Sequence, residues 1–104
     1  MNFGLPEHIL HAIIRELEKR ENVTRAVIFG SRARGDYKYN SDIDLAVWCE
    51  GELPPDLRLN LDEAAGIYKI DVVDMNGLTS DKLERRIEEQ GVEVYRRRPG
   101  TAGS

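Results

Sequence analysis

Apolar residues recur at Ile9, Leu10, Ile13, Ile14 and Leu17, the i, i+3, i+4, i+7, i+8 spacing of a helix with one buried stripe. The pattern predicts a helix over residues 6–20, with Pro6 suited to its first turn. The period then changes. Residues 24–29, ending Ala26-Val27-Ile28-Phe29, are an apolar run of strand length rich in β-favouring residues. Residues 42–47 alternate, sending Ile43, Leu45 and Val47 to one side and Asp42 and Asp44 to the other. The link between these strands is too short for a full crossover helix, which predicts antiparallel neighbours. Within it, Ser31-Arg32-Ala33-Arg34 reads as one helical turn, with Ser31 able to cap it and Gly35 closing it. Helical spacing returns weakly over residues 56–66 through Leu57, Leu61 and Ala64 or Ala65, and a third strand is expected over 67–75. Thr79 or Ser80 can cap a helix over 81–90 whose core residues are Leu83 and Ile87. Gly91 is expected to end it in the left-handed conformation, and residues 92–95 supply a fourth strand.

Helices mixed with four short strands imply an α+β (α/β) fold: a small mixed four-stranded sheet with helices on one face and the other face open. In the third strand Ile70 and Val72 continue the core-facing pattern, so Asp71 joins Asp42 and Asp44 on the open face. Asp74 has the opposite parity and is expected at the strand end as a structural or capping group. With 104 residues there is room for one compact domain, read as residues 1–98, followed by a disordered small-residue tail over 99–104.

Composition narrows the function. Charged residues make up 33% of the chain and the net charge is -4, against a dedicated nucleic-acid binder. No apolar run approaches a membrane span, and no secretory signal opens the chain, so a cytoplasmic protein is expected. The single Cys49 excludes an internal disulfide. His8 and His11, three apart on the first helix, lack a third ligand nearby and read as surface.

The candidate chemistry lies around the first two strands. Gly30 sits where a strand ends and the backbone must turn, and its small size lets a phosphate come close. Ser31 and the N–H groups after it face any bound anion. Paired carboxylates beside a phosphate site suit Mg2+, a hard cation that takes one or two carboxylates, waters and phosphate oxygens. Two Mg2+ ions held by Asp42, Asp44 and Asp71 would offset charge on a nucleoside triphosphate. Arg32, Arg34 and Lys38 concentrate positive charge where that triphosphate would lie, and the sequence leaves open which of them touches it. Trp48, of the same parity as Asp44, either borders the nucleotide or packs at the edge. Arg96-Arg97-Arg98 reads as part of a solvated tail. A P-loop is excluded, because Asp36-Tyr37 stands where Lys and Ser or Thr are required.

Gly30-Ser31 followed at this spacing by Asp42-Ile43-Asp44 resembles the signature of the minimal nucleotidyltransferases of the DNA polymerase β-like superfamily. Lys69-Ile70-Asp71-Val72-Val73-Asp74 resembles the strand with that family's third catalytic carboxylate, and Gly91-Val92-Glu93-Val94-Tyr95 its closing strand. The resemblance implies a Mg2+-dependent enzyme that transfers AMP from ATP to a hydroxyl of a partner protein. The implied partner is a HEPN-domain toxin, with this chain as its antitoxin. The alternative is a binding module that neutralises the HEPN partner by occlusion, with the catalytic site weak.

Overall fold

The apolar run of the first strand becomes the centre of a sheet. The computed structural model of the chain describes residues 3–77 and 80–98. Thr79 as a possible cap and the 99–104 tail lie outside the described residues. Along the chain come α1 (Glu7–Glu18), β1 (Val23–Phe29), α2 (Ser31–Arg34), β2 (Ile43–Cys49), α3 (Leu57–Ala64) and β3 (Ile70–Asp74). A 3-10 turn (Met75–Gly77), α4 (Asp81–Gln90) and β4 (Val92–Arg96) complete it. The sheet is mixed, in the order β3-β2-β1-β4: β1 pairs antiparallel with β2 and with β4, while β2 and β3 are parallel. That parallel pair needs a crossover, and α3 supplies it.

Alternation along the strands divides the interior in two. Ala26, Ile28, Ile43, Leu45, Val47 and Val72 face α1 and α3 and pack with Ile9, Ile13, Leu17, Leu57 and Leu61. Val27, Phe29 and Ala46 face the other way and pack with Ile87, while Trp48, Val73 and Leu83 flank them. The mixed four-stranded sheet is thus as expected, but its second face is not open, because α4 lies across it. Two apolar positions, Leu83 and Ile87, give α4 a stripe that serves either face, so its side is fixed by packing rather than by periodicity.

Other differences are local. β3 begins at Ile70 rather than at 67, because the Tyr68 N–H turns back to the Ala65 carbonyl and leaves Ile67 94% exposed. Asp42 lies one residue before β2. Ser31 is the first helical residue of α2, with Gly30 in the cap position, so its hydroxyl does not cap the turn. Ser80 does cap α4, its Oγ accepting from the Leu83 N–H. Gly91 is extended (φ -74°, ψ 154°), and its lack of a side chain serves close approach instead: a Cβ there would collide with Val27 and the Ile87 carbonyl. Among the described residues no helix is long and apolar enough to cross a membrane.

Candidate active site

The strand β1 ends by delivering Gly30 to the edge of a carboxylate. Gly30 has φ 75° and ψ -155°, a conformation costly for any residue with a Cβ, and a Cβ would strike the Asp44 carboxylate. Turn and carboxylate are therefore in direct contact, as the register Phe29↔Asp44 requires. The α2 turn folds back on itself through Ala33 and Arg34 N–H bonds to the Gly30 carbonyl and a Gly35 N–H bond to the Ser31 carbonyl. Ser31, half-buried, stands at the start of that turn.

Asp44 and Asp71 are partners across the parallel β2–β3 pair, on the face that carries α4. Asp44 is half-buried and Asp71 and Asp42 are exposed. Burial pushes the Asp44 carboxyl above its usual range, the negative charges of Asp71 and Asp42 push it further, and Arg34 partly offsets them. Asp71 and Asp42 thus lie near enough for their charges to bear on Asp44. Among the described residues no three such side chains close on a single point as a ready-made metal cage. A set of carboxylate oxygens with a shortage of positive charge nevertheless fits Mg2+, which takes one or two protein carboxylates and completes its shell with water and phosphate. Asp74 stands apart from this cluster. Its Oδ1 accepts from the Asn76 N–H 3.0 Å away and holds the turn after β3.

The three basic candidates separate clearly. Arg32 is 1% exposed and points into the protein, a correction to its place among the phosphate contacts. Its guanidinium donates to the carbonyls of Phe3 (3.0 Å), Tyr39 (3.5 Å) and Ser41 (2.9 and 3.1 Å) and lies between the Tyr37 and Tyr68 rings. It fastens the N-terminal segment and the 39–41 loop to α2, and that loop leads directly into Asp42. No sequence signal marks it, since an arginine beside a phosphate turn reads as solvent-facing. Arg34 is the cation beside the carboxylates, held by Gln90 of α4 (3.3 Å) and Asp36 (3.4 Å). Gln90 enters the site only because α4 crosses this face. Lys38 is exposed in the loop. Trp48 lies four residues along β2 from Asp44, ~13 Å away at ~3.3 Å per residue, which makes it edge packing rather than a border of this site.

The role of Arg32 gives a first expected result. Arg32→Met leaves three carbonyls short of a donor, and at roughly 1 kcal/mol for each, stability should fall by about 3 kcal/mol. The melting temperature should drop on the order of 15 °C for a domain of this size. Thermal denaturation of Arg32→Met and Arg32→Lys checks it, with lysine recovering only part. Unchanged melting with lost nucleotide affinity would return Arg32 to the phosphate.

Comparisons with known proteins agree with the fold. The family model for the polymerase beta nucleotidyltransferase domain matches residues 11–99. No curated protein matches the chain. A toxin–antitoxin crystal structure with AMP-PNP superposes with a TM-score of 0.71 at 27% identity, over 86% of this chain and 74% of that one. A structure described as a minimal nucleotidyltransferase gives 0.64 at 29% identity, over 80% and 86%. A tri-AMPylated Shewanella oneidensis HEPN toxin in complex with its MNT antitoxin gives 0.63 at 24% identity, over 86% and 71%, a likeness of fold.

Proposed function

The chain belongs to the polymerase beta nucleotidyltransferase family, and from that premise we propose that it transfers AMP from ATP to a hydroxyl of a HEPN-domain partner protein, as the antitoxin of that pair. The observation that carries this reading is the contact of the Gly30 turn with Asp44, beside Asp71 on the next strand. It puts a phosphate-sized turn against a carboxylate cluster. Similarity to toxin–antitoxin structures, one with AMP-PNP and one with an AMPylated HEPN toxin, supports the choice of nucleotide and acceptor.

Mg2+, held by Asp42, Asp44 and Asp71 as one or two ions, would supply positive charge to the phosphates and to the leaving oxygen. The rest is done by the chain. The Gly30 backbone permits close approach of the phosphates, Ser31 offers its hydroxyl and N–H, and Arg34 adds a guanidinium. The acceptor oxygen attacks the α-phosphorus and forms the new P–O bond as the α–β phosphoanhydride bond breaks and pyrophosphate leaves. Asp71, exposed at the edge strand, receives or relays the hydroxyl proton. Acceptor access from the protein exterior is consistent with that exposure. Cys49, a buried free thiol, suits a reducing, cytoplasmic setting.

Incubation of the chain with labelled ATP, Mg2+ and its HEPN partner should label the partner, and excess chelator should abolish the label. A partner that is silenced yet unlabelled would instead establish neutralisation by occlusion.

A further inference from the structure

Arg96 and Arg97, expected in a solvated tail, are ordered and take part in a second site. Trp48, Arg25 and Arg96 are cross-strand neighbours on β2, β1 and β4. With Thr24 and Arg97 they line a cleft of about 320 Å³. The Arg25 guanidinium sits over the Trp48 ring, 4.5 Å from its centroid, and its side chain remains 35% exposed. Trp48 thus backs a cationic group that is still open to solvent.

The arginines are held in place by shared partners. Glu93 accepts from both Arg25 (2.8 Å) and Arg96 (2.7 Å). Arg97 pairs with Glu50 and donates to the Glu21 carbonyl at 2.8 Å. Three guanidiniums therefore face two carboxylates, and the side chains of Arg96 and Arg97 stay 62% and 43% exposed. Nothing in the carboxylate chemistry uses this arrangement. It lies ~13 Å along β2 from Asp44.

We propose that this cleft binds a nucleoside phosphate, free or as a unit of single-stranded nucleic acid, with the base stacked on Arg25 against Trp48 and phosphate taken by Arg96 and Arg97. Guanidinium forks match phosphate oxygens, and a guanidinium plane or an aromatic ring accepts a base of any identity. An acidic peptide would use the charges but gain nothing from the stack, which decides between the two. Affinity is modest, because Glu93 competes for two of the three arginines.

Trp48 is the only tryptophan in the chain and lines the cleft, so its fluorescence serves as the probe, with Asp44→Asn as the control for the carboxylate site. The intact chain is titrated with AMP, with oligo(A) RNA and with poly-L-glutamate, all in excess chelator so that the carboxylate site lacks its cation. AMP, oligo(A) or both should quench Trp48 saturably, AMP indicating a free nucleotide and oligo(A) alone a strand. If two phosphates of oligo(A) are held, affinity should fall about sevenfold between ~50 and ~200 mM salt. Arg96→Gln should weaken binding severalfold and flatten that salt dependence, whereas Glu93→Gln should tighten it. Asp44→Asn should change neither. Poly-L-glutamate quenching as strongly as oligo(A), no quenching by either nucleotide probe, or indifference to both Arg96→Gln and Glu93→Gln would overturn the proposal. So would loss of binding in Asp44→Asn, which would assign the signal to the carboxylate site.

Discussion

Asp42→Asn combined with Asp44→Asn is expected to give a folded protein that transfers no nucleotide, with a loss of a thousandfold or more. Removing a single group that stabilises developing charge costs roughly 10²–10³ in turnover, and this variant removes two from one cluster. The fold should not suffer, because neither side chain belongs to the packed interior: Asp42 is exposed and Asp44 half-buried. Apo stability should even rise at neutral pH. The Asp44 carboxyl is pushed up by burial and by Asp71 and Asp42, so the folded state holds its proton more tightly than the unfolded chain does. For a raised carboxyl the native state is favoured while the proton is on. That advantage is full below the unfolded value of about 3.9 and is lost as pH rises through the folded value. The parent should therefore lose stability over that window on going from acid to neutral, and the double variant should lose less. Transfer assays with labelled ATP and melting curves at acid and neutral pH check both halves. Retained transfer would remove the two carboxylates from the chemistry, and a collapsed melting transition would make them structural.

Strand alternation makes the carboxylate face legible in the sequence alone. Period two along residues 42–47 and 70–72 suffices to put Asp44 and Asp71 on one side, and the parallel register Asp44↔Asp71 brings them opposite each other. The Gly30 turn is legible for a similar reason, since a small residue after an apolar strand has few other uses. Periodicity is silent, however, on which layer a short helix joins. α4 buries only Ile87 fully, and either sheet face offers apolar partners. Its true side brings Gln90 to Arg34.

Arg32 shows a different limit. Its charge predicts solvent, and only the folded chain brings the carbonyls of Phe3, Tyr39 and Ser41 to one place, between two tyrosine rings. Phe3 is far from Arg32 in sequence, and nothing local marks that its carbonyl and those of the loop after α2 converge there. The Arg25–Trp48 stack is hidden for the same reason, as its partners come from separate strands.

Asp71→Asn should lower turnover by orders of magnitude with little loss of nucleotide affinity, whereas Asp74→Asn should act on stability and leave turnover near the parent's. The two residues lie three apart on β3, so alternation sends their side chains to opposite faces. Asp71 is the register partner of Asp44 on the same face, and its charge helps to raise that carboxyl. Removing it takes away the carboxylate best placed to receive the acceptor proton, which affects the transition state more than the bound nucleotide. Asp74 instead accepts the Asn76 N–H at 3.0 Å, and Asn76 in turn donates its side-chain amide to the carbonyls of Cys49 and Gly51. That chain of bonds ties the end of β3 to the end of β2. Asn at position 74 keeps an acceptor but loses the charge, so about 1 kcal/mol and a fall of several degrees in melting temperature are expected. Measurement of kcat, KM and melting temperature for both variants separates the roles. Turnover lost in Asp74→Asn but kept in Asp71→Asn would exclude Asp71 as the third carboxylate, and proton transfer would have to be sought at the other end of β3.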